Sequence, residues 1–170
     1  MPLTLILMRH AKSSWSDPEA DDFDRALNSR GRASAPAMGR WLSEHGYLPD
    51  EVIVSGARRT VETWSHMAAA LPATASMRSD PMLYHAASEA MLVVLRNAFQ
   101  PTTMLIGHNP GITEFAHRLA GATYPHDRYG DFPTAATAII TFGAETWREI
   151  VWSDGTVTDF AVPGDVLDSA

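Results

Sequence analysis

Apolar positions in this chain form short runs, separated by stretches with helical spacing. Leu3-Thr4-Leu5-Ile6-Leu7-Met8 is apolar on both of its alternating faces, as a central parallel strand requires. A polar stretch, Ala11 to Leu27, follows and contains the acidic run Glu19 to Asp24. Such a length without periodicity in a small domain reads as a functional lid or a flexible segment. The spacing predicts a first helix over Ser29 to His45, capped by Asn28 or Ser29 and ended by Gly46. Pro36 inside it predicts a kink or a later start. Val52 to Val54 is a short second strand, Arg59 to Leu71 a second helix, and Thr74 to Arg78 a weak third strand. Met82 to His85 is a loop, after which Ser88 caps a third helix over Glu89 to Phe99. Thr102 to Ile106 is the next strand, followed by the turn Gly107 to Gly111, a short helix over Ile112 to Leu119 and a second long loop, Ala120 to Thr134. Ala138 to Phe142, Glu149 to Trp152 and Thr156 to Phe160 read as strands, the last two as a hairpin around Asp154-Gly155.

The order βαβα with strands behind it implies a single-domain α/β fold. Its sheet is mainly parallel, flanked by helices on both faces, with an antiparallel edge. The expected catalytic domain spans residues 1–162, and 163–170 is a short C-terminal tail expected to fray. The length of 170 residues suits one domain with its own core.

Composition narrows the function. The formal net charge of −7 argues against a general nucleic-acid binder, which carries a basic face, so any phosphate site must be a local cluster of cations. There is no cysteine, which removes disulfides and thiolate chemistry. No run approaches the ~18 apolar residues of a membrane span. Met1 to Met8 lacks a basic leader and is interrupted by Arg9-His10, so a cytoplasmic location is the expectation.

Three segments carry chemistry: Arg9-His10, Arg58-Arg59 and His108, each directly after a predicted strand. Parallel strands would bring all three to the carboxyl edge of the sheet, where open α/β folds place their ligands. Guanidinium pairs bidentately with phosphate oxygens. Neutral imidazole is a competent nucleophile toward phosphorus, and phosphoryl transfer mainly needs positioning and charge neutralisation. A histidine metal site needs a third ligand, usually a carboxylate, and the arginines would repel a cation. No cofactor or metal is expected.

Leu7-Met8-Arg9-His10-Ala11-Lys12-Ser13 resembles the R-H-x motif of the histidine phosphatase (phosphoglycerate-mutase-like) superfamily. The form R-H-A-K-S is similar to the SixA-type phosphohistidine phosphatases in particular. Further matches are Asp24-Arg25-Ala26-Leu27 with Arg30-Gly31-Arg32, Ser55 to Thr63, Leu83-Tyr84-His85, Gly107-His108-Asn109-Pro110-Gly111 and Phe132-Pro133-Thr134-Ala135. Together they span residues 3 to 140. The resemblance implies that His10 is the nucleophile and becomes phosphohistidine, with Arg9 on the phosphoryl oxygens. The family's serine-to-arginine spacing points from Ser55 to Arg59 rather than Arg58, and His108 is implied as a donor to a phosphoryl oxygen. Ser13 or Lys12 adds a further donor. Arg58 reads either as a ligand or as a solvated helix residue, and His85 either as a pocket wall or as a surface tip.

Asn109 falls where acid-phosphatase relatives carry an aspartate that protonates the leaving group, and neither His85 nor Glu89 matches the mutase glutamate. A general acid contributes ~10²–10⁴-fold, so its loss is least harmful for a labile leaving group such as the nitrogen of phosphohistidine. The expected function is therefore a protein phosphohistidine phosphatase. The alternatives are a small-molecule phosphomonoesterase acting on a phosphorylated metabolite and a non-catalytic phosphate-binding module. No nucleic-acid or membrane partner is expected, and the sequence leaves the oligomeric state open.

Overall fold

The computed structural model describes residues 2–72 and 75–167. The first apolar run is β1 (Leu3–Arg9). Its side chains alternate between two cores, with Leu3, Leu5 and Leu7 on one face of the sheet and Ile6 and Met8 on the other. Next comes α1 (Ser29–Glu44), where the Asn28 side chain accepts from Gly31 N at 2.9 Å. The helix passes through Pro36 without the later start that proline allowed. β2 (Glu51–Val54) is buried throughout. It leads through Gly56, whose φ of +93° suits a residue without Cβ, into α2 (Arg58–Ala68).

The remaining elements are β3 (Ser76–Ser79), α3 (Ser88–Arg96), β4 (Thr102–Gly107), α4 (Gly111–Leu119), β5 (Thr137–Phe142), β6 (Thr156–Ala161) and α5 (Pro163–Leu167). The sheet order is β3-β2-β4-β1-β5-β6. The first four of these strands run parallel, β5 is antiparallel to β1, and β6 is antiparallel to β5. The expected architecture, a mainly parallel sheet with an antiparallel edge, is the one observed.

Helices cover both faces. Met38, Leu42, Trp64 and Met67 of α1 and α2 pack on Ile6, Met8, Val52, Val54 and Met104. Met91, Leu95, Ile112 and Phe115 of α3 and α4 pack on Leu5, Leu7, Ile53 and Leu105. The adjacent parallel strands β1 and β4 therefore feed helices on opposite faces. Their carboxyl ends diverge into a crevice, the topological switch point where such sheets bind ligands.

The strand expected over Glu149 to Trp152 does not form. Residues 147–149 make a single 3₁₀ turn, and β6 pairs with β5 instead of with a hairpin partner. Trp147 decides this, because its ring packs edge-on against Phe142 and its indole N–H reaches Gln100 O at 2.7 Å. The Arg96 guanidinium engages Ile150 O. Those contacts fold the segment under α3, out of reach of a ladder.

Three smaller expectations also change. Ser88 is not a cap, since Ala87 holds that position and the Ser88 hydroxyl meets Arg118 and Glu89. Residues 163–167 of the expected tail are helical and pack on α1. The third strand begins at Ser76, and Thr74 lies outside the described residues.

Candidate active site

His10 is the first residue beyond β1, and its backbone is clamped from both sides. Its N–H donates to Gly107 O of β4 at 3.0 Å, and its carbonyl accepts from Ala135 N at 3.0 Å. The next residue, Ala11, donates to the Thr63 hydroxyl of α2 at 3.0 Å, which ties the loop to a helix. His108 follows β4 across the crevice. The two rings face each other with centroids 5.3 Å apart, and both residues are buried.

Hydrogen bonds define the tautomers. His10 Nδ1 lies 2.7 Å from Ala11 O, which can only accept, so Nδ1 carries the proton and Nε2 keeps its lone pair. His108 Nδ1 lies 3.2 Å from an Arg59 N–H and therefore accepts. Its Nε2–H then donates to Ser55 Oγ at 2.7 Å, and that oxygen also accepts from Ala57 N. At rest, then, the His108 nitrogen beside Arg59 is an acceptor, not the donor that the family resemblance implies.

Burial keeps both rings neutral. Against one favourable bond to Ala11, burial and the positive charges of Arg59, Arg9 and Arg25 lower the His10 pKa from 6.5 to about 3. Burial, with His10 and Arg59 as neighbours, brings His108 to about 3 as well. Arg59 itself is buried in the first turn of α2. Its Nη1 donates to Asp22 O at 2.6 Å and its Nη2 to Asp22 Oδ2 at 3.1 Å. Arg9 donates from Nη1 to Phe132 O at 3.3 Å. Burial, followed by Arg59, lowers the Arg9 pKa, with Asp131 partly offsetting it. The Nε atoms of Arg9 and Arg59 are buried without a hydrogen-bond partner among the described residues, which leaves donor capacity for an anion. His85, Phe132 and Ala135 have positive φ, and such strain concentrates at functional sites.

The other sequence candidates divide. His85 lies at the mouth, 3.3 Å from Asp22 and with its ring 5.9 Å from that of His108. Lys12 is exposed and walls a cleft together with Arg9. The Ser13 hydroxyl is buried and accepts from Arg25 Nη1 at 2.7 Å, so it supports Arg25. Arg58 is not part of the assembly, because α2 turns its side chain outward to pair with Glu62 at 3.0 Å. Asn109 holds the carbonyls of Asp131 and Phe132 and the Thr113 hydroxyl. Glu89 pairs with Arg118 on the outside of α3.

Sequence reasoning missed Asp22, Arg25 and Tyr84. Asp22 collects Arg59, the Tyr84 hydroxyl at 2.5 Å and Arg25 Nε at 3.1 Å. Burial opposes its ionisation, but the bonds from Tyr84 and Arg59 outweigh burial and hold the carboxyl well below the usual carboxylate range. Arg25 is buried and stacks on the Trp15 ring, 3.6 Å from its centroid. The Asp24-Arg25 dipeptide carried a signal for Arg25, whereas Asp22 was hidden among the other acids of a polar loop. Among the described residues, no group of three or more His, Asp or Glu side chains could hold a metal ion.

Neutral imidazoles beside buried guanidinia, at the switch point of a doubly wound sheet, define a protein that handles phosphoryl groups. Comparison with known proteins agrees. Residues 5–84 match the family model of the histidine phosphatase superfamily, branch 1. An uncharacterized chloroplastic protein of Arabidopsis thaliana is 33% identical over 156 residues, covering 85% of this chain and 69% of that protein. The solved SixA protein of Agrobacterium tumefaciens is 27% identical with a TM-score of 0.78, covering 96% of this chain and 99% of that one. The protein histidine phosphatase SixA solved with tungstate shares the fold, with a TM-score of 0.75 at 20% identity over 96% of this chain and 99% of that one. This chain belongs to the histidine phosphatase superfamily, in its SixA-type branch. It is a hydrolase of the phosphatase class.

Proposed function

We propose that this protein removes the phosphoryl group from phosphohistidine on a protein, through a phosphoryl group carried transiently on His10 Nε2. The observation that carries the reading is the state of Asp22. This carboxylate is wired to the histidine pair through Arg59, and its partners keep it ionised, so it cannot protonate a leaving group. Asn109, where relatives carry an acid, has its amide engaged by two carbonyls. A substrate whose leaving atom is already prepared to depart suits such a site.

In this mechanism the His10 Nε2 lone pair attacks phosphorus while the P–N bond of the substrate breaks. The electron pair returns to a substrate imidazole already protonated at its other nitrogen, which leaves as neutral histidine. Arg9 and Arg59 neutralise the phosphoryl oxygens. As the dianion arrives, His108 takes a proton from solvent at Nδ1 and donates it in a hydrogen bond to a phosphoryl oxygen; the proton returns to solvent when phosphate leaves. Water attacks phospho-His10, releasing inorganic phosphate and restoring the imidazole. Cytoplasmic action belongs to the same proposal. Among the described residues, no helix is long and apolar enough to cross a membrane.

Rapid-quench labelling with a ³²P-phosphohistidine protein tests the reading. Label should appear on the chain and vanish in His10→Asn, and kcat/KM should exceed that for sugar and glycerate phosphates. Turnover by His10→Asn at the wild-type rate would overturn the nucleophile assignment. A preference for the phosphomonoesters would favour the metabolite phosphatase instead.

A further inference from the structure

A cleft of about 540 Å³ opens on the Arg9 side of the histidine pair. Four cations wall it: Arg9, Lys12, Arg30 and Arg128, in a chain whose net charge is −7. No Asp or Glu lines it among the described residues, and Val162 and Leu167 add apolar lining. Asp131 pairs with Arg128 from outside the lining. The Lys12 and Arg30 side chains make no hydrogen bond or ion pair among the described residues. Arg30 is the second residue of α1, where the helix dipole disfavours a cation, and the first turn of that helix holds no acid. Its position is thus unexplained by helix stability. A second cleft, of about 270 Å³, opens on the His108 side, and its wall carries the Glu114 carboxylate. The crevice is therefore flanked by a basic cleft on one side and an acid-bearing one on the other.

We propose that the basic cleft docks the acidic flank of the phosphorylated protein, with Arg30 and Lys12 receiving carboxylates beside the phosphohistidine while its phosphoryl group lies at His10. The inference rests on the phosphohistidine reading above and adds a partner chemistry to it. Arg9 belongs to both regions, so one bound segment would span them. Exposed charge pairs at the rim of an interface steer association and weaken with salt.

The test uses the full chain and two synthetic phosphohistidine peptides, one with Asp on both sides of the phosphohistidine and one with Asn. Phosphoramidate serves as a P–N compound without a flank. The wild type should prefer the Asp peptide by about 3–5-fold in kcat/KM, chiefly through KM, as an exposed charge pair allows. Added NaCl should erode the preference. Arg30→Gln should abolish it and Arg30→Glu should reverse it, while phosphoramidate turnover stays at the wild-type rate in both. Arg30→Gln removes an unfavourable helix-end cation, so its Tm should equal or exceed the wild type's. Equal turnover of the two peptides by the wild type, or an Asp preference that survives in Arg30→Glu, would overturn the docking proposal alone. Failure to hydrolyse phosphoramidate and both peptides would overturn the phosphohistidine reading, and the docking proposal with it.

Discussion

Acid should destabilise this protein before its carboxylates titrate, because two imidazoles are buried in the neutral form. His10 and His108 have pKa values near 3 in the fold against 6.5 in the unfolded chain. Between these values the unfolded chain binds protons that the native protein refuses, so stability falls as pH falls through that window. From pH 8 to pH 5 the loss is about 2 kcal/mol for each histidine, hence about 4 kcal/mol for both, working from 1.36 kcal/mol per pKa unit. That is a large part of the ~5–15 kcal/mol typical of a domain. Urea unfolding followed by tryptophan fluorescence at pH 8, 6.5 and 5 would measure it. His10→Asn keeps an amide N–H for Ala11 O and removes the titrating ring, so about half of the acid loss should disappear. Phosphate should also offset the loss, since an anion between the rings favours their protonation. A wild-type loss below about 1 kcal/mol by pH 5, or a His10→Asn profile as steep as the wild type's, would refute the neutral-imidazole argument. The availability of the His10 lone pair at neutral pH would fall with it.

Other outcomes follow from the same geometry. Arg59→Ala should lower kcat by about 10²–10³-fold, as loss of a charge-stabilising donor does, whereas Arg58→Ala should change kcat/KM less than about 2-fold because the Arg58 side chain is exposed and pairs with Glu62, away from the histidine pair. Steady-state kinetics on one phosphohistidine substrate separates the two. Asp22→Asn removes the negative charge from Arg59, so inorganic phosphate should inhibit this variant several-fold more tightly, and weaker inhibition would mean that Asp22 chiefly orients the guanidinium. Gly31→Ala places a methyl group 2.2 Å from Lys12 O, a backbone atom of the loop after His10. Urea denaturation should show a loss of about 2–3 kcal/mol from that overpacking.

The sequence alone determined the layered architecture. Leu3 to Met8 can only be buried on both faces, and its alternation with helical stretches leaves few alternatives to a parallel sheet covered on both sides. It also marked Arg9-His10, Arg58-Arg59 and His108, because each follows a predicted strand and a strand's carboxyl end is a local property of the chain. The segment after β5 was not legible, because Trp147 chose a partner 47 residues away over a local ladder. Family spacing from Ser55 favoured Arg59 over Arg58, and the docked register of α2 supplies the physical reason, sending Arg59 inward and Arg58 to solvent. Asp22 and Tyr84 meet across 62 residues, so their pairing carries no local signal, although Tyr84 stands in the Leu83-Tyr84-His85 match. Sequence determines which groups can do chemistry. Their protonation states, and with them the chemistry actually available, come from burial and long-range hydrogen bonds that exist only after folding.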